Sequence, residues 1–559
     1  MKYLLAIALG PVQDFIAAAR RTQDFQAGST LLAETAKTVA REVEKHGELI
    51  FPADADSDGP NKILVEIHEG GSPESIALEA RKAAEKYLSD SWASAKNSIP
   101  AGVLDKGLAA AQISGFLEFY AAWVPLAGDY AGARRDVDRL LAGRKVLRNF
   151  APSVSPTGRP KSPLDPSRDC VLGKPGDLRV PEACHQKSPL WLKTRETLDA
   201  VSLLKRIRGD QERMGKRTPS TSLMAVRAFL PMMKREAREH FEEICKLVDQ
   251  AGTGVDLGDF LYPGRLDADD LKGRGLENEI RHLDVQRREL LRAVKLSEFP
   301  GYYAILAADG DRMGDILSRK NSSKEHREFS ASLSDFANEA GRRINTEFQG
   351  HCIYTGGDDV LALLPVNQAI PCAASLAALF VDKIQGTLSA GVAIVHHMDP
   401  LRVSLDRARA AEHFAKANRE SEPGRDSLAV ALHTRGGEPL TVAMKWATEG
   451  TSATDDWQAW IAAFAGGQNA ALSRGFPYEL RNLAREFMGM DELQWTAMPN
   501  EARRILDRKQ GGRSIDLPNN LATPAQWEAF AKKLVIARFL ADYPTHKEQS
   551  QTHEDPAYV

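Results

Sequence analysis

The fifteen residues HCIYTGGDDVLALLP, 351–365, limit the folds open to this chain more than any other stretch. Two β-forming runs, Cys352 to Thr355 and Val360 to Leu364, flank Gly356-Gly357-Asp358-Asp359. Glycine reaches positive φ without a Cβ clash, so two glycines between strand runs predict a tight hairpin turn. The two aspartates then sit at the hairpin tip or just past it. Adjacent carboxylates repel unless something positive lies between them. All-oxygen ligands of this kind suit Mg2+ or Mn2+. A solvated Gly-Gly-Asp-Asp turn would also account for these four residues alone.

A second stretch upstream narrows the choice. Residues 301–316 read GYYAILAADGDRMGDI. Tyr302 to Ala308 is an unbroken apolar run, as expected of a central strand covered on both faces, and it ends on Asp309-Gly310-Asp311. By itself Asp309-Gly310 would be a plain turn. A carboxylate at the end of a buried strand, beside a hairpin bearing two more, makes the cluster that two-metal phosphoryl or nucleotidyl transfer needs.

The order of elements around these stretches occurs twice. Residues 3–125 read strand, helix, strand, strand, helix, strand, the ferredoxin-like pattern, with a helix expected over 29–46. Residues 301–434 repeat it. Aligning Gly10 with Gly310 sets Leu9 at the position of Asp309, so only the second copy keeps the carboxylate. The expected architecture is α+β: two ferredoxin-like palms with a helical insert and a C-terminal helical domain. The expected boundaries are 1–145 for a catalytically silent first palm, 146–296 for a basic loop and helical linker, 297–437 for the second palm and 438–559 for the C-terminal helices. Trp457, Trp460 and Phe464 fall on one helical stripe and read as core. His396 and His397 are consecutive strand residues that should point to opposite faces, which makes them structural and not a metal pair.

Composition excludes some partners. A net charge of -3 gives no global basic signature, so any contact with nucleic acid rests on local patches such as Arg144, Lys145 and Arg148. The five scattered cysteines form no disulfide framework and fit a reducing, cytoplasmic setting. No stretch approaches the ~18 consecutive apolar residues of a membrane span.

Several long segments resemble one family, the large polymerase/cyclase-like subunit of type III-B CRISPR effector complexes of the Cmr type. They include GPVQDFIAAARRTQDFQAGSTLLAE, KSPLDPSRDCVL, ETLDAVSLLKR, YYAILAADGDRMGDIL, YTGGDDVLALLP and SAGVAIVHHMDPL. The resemblance implies a Mg2+-dependent nucleotidyltransferase that converts ATP to cyclic oligoadenylate messengers when target RNA is bound. It implies partners as well: other Cmr-type subunits, guide RNA and target RNA. Asp309, Asp358 and Asp359 would then hold two Mg2+ (or Mn2+) ions and form the catalytic set. Gly310 with Asp311, and Gly356 with Gly357, would line the nucleotide. AEHFAKANRESEPGRDSLAV resembles the segment of GGDEF-type cyclases whose lysine meets the triphosphate, which makes Lys416 a candidate; a solvated helix lysine is the alternative. Ser330 lies on the helix where related cyclases read the purine, and a plain helix-surface serine is its alternative.

The departures from the family pattern carry expectations of their own. Many members have an N-terminal histidine-aspartate nuclease domain; this chain has no His-Asp dipeptide, so no intrinsic DNase activity is expected. Cys170, Cys184 and His185 do not complete a four-cysteine knuckle, which argues against zinc. Two other readings stay open: the same site could join AMP to a different small molecule, or the chain could be an inactive scaffold of the complex.

Overall fold

The computed structural model describes residues 1–57, 61–147, 157–185, 189–212, 218–250, 257–262, 279–417, 424–448, 450–466, 470–509 and 515–544. Arg148 and the polar tail after Pro544 lie outside these residues, as does most of the segment between Lys416 and Gly424.

The first sheet is built from β1 (Lys2–Gly10), β2 (Gly47–Phe51), β3 (Lys62–Ile67) and β4 (Glu118–Leu126), in the order β2-β3-β1-β4. All three of its pairings are antiparallel. A short helix α1 (Gln13–Ala17) and the long α2 (Thr22–Glu44) follow β1. Ala36, Val39, Ala40 and Val43 pack α2 on the sheet, whereas Leu31 and Leu32 join the larger core shared with the helical region. This helix begins at Thr22 and not at Ser29, because Phe25 and Ala27 extend the same buried face toward the N-terminus. Ser72 caps α3 (Pro73–Ala95), and Asp129 caps α4 (Tyr130–Val146), each accepting a backbone N–H three residues on.

Between the sheets lies a mostly helical region that includes α5 (Ala200–Glu212). Arg206 of α5 is fully buried and bonds both Asp24 of α2 and Glu196. Next to it Lys205, also buried, donates 2.7 Å to the Phe15 carbonyl and to that of Ala18 at the end of α1. Cys170 and Cys184 are fully buried here, and burial pushes the Cys170 thiol up.

The second sheet begins with β5 (Tyr302–Gly310), followed by α6 (Ser323–Thr346), β6 (His351–Gly356), β7 (Asp359–Leu364), α7 (Ala369–Ile384) and β8 (Leu388–His396). Helix α8 (Leu401–Lys416) crosses over to β9 (Ser427–Leu432), which pairs parallel to β8, and β10 (Leu440–Lys445) pairs antiparallel to β9. The order is β10-β9-β8-β5-β7-β6. Its β6-β7-β5-β8 portion repeats the first sheet strand for strand. β1 and β5 are each nine residues ending in glycine, so Leu9 and Asp309 occupy equivalent positions. β10 corrects the expected boundary after residue 437: the second sheet runs on to Lys445 before the C-terminal helices α9 (Ala453–Phe464), α10 (Phe476–Phe487) and α11 (Pro524–Leu540) begin. Val442 of β10 is buried, so apolar burial on this edge outweighs the helical character of the sequence around it.

His396 and His397 also depart from expectation. Their ring centroids are 4.6 Å apart, because β8 ends at His396 and strand alternation stops there. Both remain structural: His397 stacks on Tyr262 at 4.1 Å and bonds Ser222 Oγ at 2.9 Å.

The two palms touch through α6. The Tyr130 hydroxyl at the start of α4 is 2.7 Å from His326 Nδ1 in a buried contact, and Arg327 pairs with Glu48 of β2. Burial, then the Arg134 charge, pushes His326 down to about 4 from 6.5. Between those two pH values the unfolded chain binds the extra proton, so stability is intact above pH 6.5 and falls as pH drops toward 4. The full effect is about 3 kcal/mol. The stability of His326→Phe is expected to depend less steeply on pH across this window, by close to one proton in urea unfolding at a series of pH values. An unchanged slope would show that His326 takes no part.

Candidate active site

The carboxylate-bearing positions converge at one end of β5. Gly356 pairs with Asp359 across the β6-β7 hairpin, so Gly357 and Asp358 form the two-residue turn. Gly357 has φ +68, the left-handed conformation the first turn position requires of glycine. A Cβ on Gly357 would stand 3.7 Å from Phe51 of β2, so the tip of the hairpin rests against the first palm. Asp309 is the last residue but one of β5 and lies close enough to Asp358 and Asp359 to act on both.

Charge is concentrated here. Burial first, and then Asp309, pushes the Asp358 carboxyl up. Asp359 is pushed up in the same sense by burial and by its contacts with Asp309 and Asp358. The nearest opposing charge is on Lys416. The Lys416 ammonium, at the end of α8, pairs with Asp309 and lies 2.7 Å from Glu412 Oε1. It is 20% exposed, so it is not a solvated helix lysine. Arg409, seven residues earlier and therefore on the same face of α8, feels both Asp359 and Asp14 of α1. Sequence reasoning missed Arg409, although its i, i+7 relation to Lys416 was there to be read.

Other expected positions behave differently. Gly310 does not face open space: a Cβ there would lie 2.8 Å from Phe380 and 2.9 Å from the Cβ of Asp358. Its lack of a side chain admits Asp358 to the end of β5. Asp311 is only 3% exposed and its carboxylate is fully engaged by Ser389, Thr387 and the Asp426 backbone, so it does not line a nucleotide. Ser330 is not on the helix surface. It is fully buried on the core face of α6, and its Oγ has no hydrogen-bond partner among the described residues.

The three aspartates offer hard oxygen donors with too little positive charge around them, a fit for a divalent cation. They meet pairwise through Asp309. Among the described residues the set that brings one donor atom each within 4.8 Å is another, Glu42, His46 and Glu79 on the first palm. An apolar groove of about 480 Å³ between the start of α7 and helices α9 and α11 lies at the far end of β7 from Asp359, roughly 20 Å along the strand.

Residues 302–429 match the family model for Cas10/Cmr2, second palm domain, and residues 4–103 match that for CRISPR-associated protein Cmr2, N-terminal. Two separate segments of the chain thus resemble domains of the Cas10/Cmr2 family. A Cmr2 subunit of the CRISPR Cmr system from Pyrococcus furiosus is 30% identical over 179 residues, an alignment that covers 26% of this chain and 20% of that relative. The chain thus matches about a fifth of that relative's length. Two solved type III-B Cmr-beta structures share the fold at 12% identity. The apo form gives a TM-score of 0.65, covering 97% of this chain and 82% of the matched chain; the form bound to cognate target RNA gives 0.64, covering 96% and 83%. The second-palm match contains Asp309, Asp358, Asp359 and Lys416, and the N-terminal match contains Leu9. No helix among the described residues is long and apolar enough to cross a membrane.

Proposed function

We propose that this chain is the large subunit of a type III CRISPR RNA-guided complex, and that its second palm transfers nucleotidyl groups from ATP to make cyclic oligoadenylate when target RNA is bound. The observation that carries this reading is the meeting of Asp309 with Asp358 and Asp359 at the end of β5, within the second-palm match. The proposed partners are smaller Cmr-type subunits, guide RNA and target RNA; a solved relative in fold is a Cmr-beta complex bound to cognate target RNA.

Asp309, Asp358 and Asp359 would hold Mg2+ or Mn2+. When bound, such ions supply Lewis-acid charge for a sugar hydroxyl and for the phosphates of ATP. The chain's own groups divide the remaining work. The carboxylates gather negative charge that only a cation or a proton relieves. Lys416 balances Asp309 in the absence of nucleotide and offers a donor to a phosphate oxygen when one is present. The first palm, with Leu9 in place of the aspartate, serves as a structural partner that backs the hairpin tip through Phe51.

The test is mass spectrometry of products from the assembled complex given Mg2+, ATP and matching target RNA. Adenylate rings that depend on the RNA are expected. Adenylate conjugates in their place would replace the proposed product, and no product together with no nucleotide binding would leave a scaffold. A second expectation concerns Gly310→Ala. Its methyl group would displace Asp358 or Phe380, and a misplaced metal-binding carboxylate should cost about a hundredfold in rate. A G310A complex with unaltered rates would mean that the close approach of Asp358 to β5 is dispensable.

A further inference from the structure

The buried carboxylate of Asp311 takes no part in the cluster described above, yet it is the most completely bonded acid near it. Its Oδ1 accepts from Ser389 Oγ at 2.8 Å, and its Oδ2 accepts from Thr387 Oγ1 and from the backbone N–H of Asp426, each at 2.8 Å. Its own N–H donates to the Thr387 carbonyl. These bonds tie the end of β5 to the starts of β8 and β9.

The backbone it grips is strained. Arg425 and Asp426 have φ of +70 and +46, two consecutive non-glycine residues in the left-handed region. Residues with a Cβ avoid that region unless their surroundings impose it. Lys445 Nζ and Ser427 Oγ both bond the Arg425 carbonyl, and the Arg425 N–H donates to the Ala415 carbonyl. The preceding Gly424 presses on Lys416 so closely that a Cβ would stand 2.2 Å from the Lys416 carbonyl oxygen. The turn therefore lies directly on the residue that pairs with Asp309.

We propose that Asp311 is a positioning residue: it holds the left-handed Arg425–Asp426 turn and thereby fixes the end of α8 that presents Lys416 to the nucleotide. This role rests on the nucleotidyl-transfer reading. Asp311 touches no reacting atom itself; it acts through the Asp426 amide and the turn.

The full chain, with Mg2+ and a fluorescent non-hydrolysable ATP analogue, provides the test, using D311A, D426G and D311A/D426G. Glycine adopts positive φ freely, so Asp426→Gly lowers the demand on Asp311. D311A is expected to weaken analogue binding about tenfold and to speed hydrogen exchange at the Asp426 amide. The double variant is expected to bind within about threefold of D426G, a rescue that loss of ordinary core packing would not show. Wild-type affinity in D311A, or no rescue in the double variant, would overturn the positioning role while leaving nucleotide binding intact. Failure of the wild-type chain itself to bind the analogue would instead bring down the nucleotidyl-transfer reading, and this role with it.

Discussion

D358A/D359A is expected to lower nucleotidyl transfer by the complex at least about a thousandfold while leaving the chain folded. The rate follows from the charge the ligands would hold. Metal ions at a phosphoryl centre contribute several kcal/mol of transition-state stabilisation, and each 1.36 kcal/mol is a decade in rate. The folding follows from repulsion. Asp358 and Asp359 are each pushed up by burial and by Asp309, so their ionised forms disfavour the native state and alanine removes that penalty. The variant should melt at or above the wild-type temperature in metal-free buffer, and the rise in melting temperature that Mg2+ gives the wild type should vanish. Product formation by mass spectrometry and thermal melts with and without Mg2+ check both halves. A variant that still turns over at a tenth of the wild-type rate would remove the aspartates from the catalytic set.

The largest effect on stability is expected far from that site, at Arg206. Its Nε lies 2.8 Å from Asp24 Oδ1, its Nη2 2.9 Å from Asp24 Oδ2 and 2.7 Å from Glu196 Oε1, and its Nη1 donates to the Leu190 carbonyl. All three charged side chains are 2% exposed or less. Burial alone would raise Glu196, yet the charges of Arg206 and Arg21 win and hold it down at about 2. Arg206→Ala strands two carboxylates in the interior, at a cost of about 3–5 kcal/mol. The expected result is a fall in melting temperature on the order of 10 °C. Arg206→Lys should recover little of it, because a point charge cannot span both carboxylates as the guanidinium fork does. Replacing Arg206, Asp24 and Glu196 together by Met or Leu should be milder than R206A, since no uncompensated charge remains. If R206A melted within a degree or two of wild type, the triad would not be what joins the helical region to the first palm.

The strand runs, the hairpin at Gly357, the aspartate ending β5 and the repeat relating Leu9 to Asp309 were all legible in the sequence. Each is set by interactions a few residues long: unbroken apolar runs in strands and glycine at positive φ. What the tertiary structure decided is how distant side chains meet. Lys416 and Asp309 are 107 residues apart, Arg206 and Asp24 are 182, and Tyr130 and His326 are 196. No local pattern marks such a pair, because a charged residue on a helix reads the same whether water or a buried partner awaits it. For the same reason Asp311, two residues from Asp309, looked like a residue that lines the nucleotide, and Ser330 like a purine-reading or surface hydroxyl. Only the packing of β5 against β8, and of α6 against the core, shows the first spent on a strained turn and the second sealed from solvent. The sequence alone thus determines the elements and where the reactive carboxylates fall on them; the topology determines which charges they face, since that depends on contacts whose cost and gain are realised only once the chain is closed.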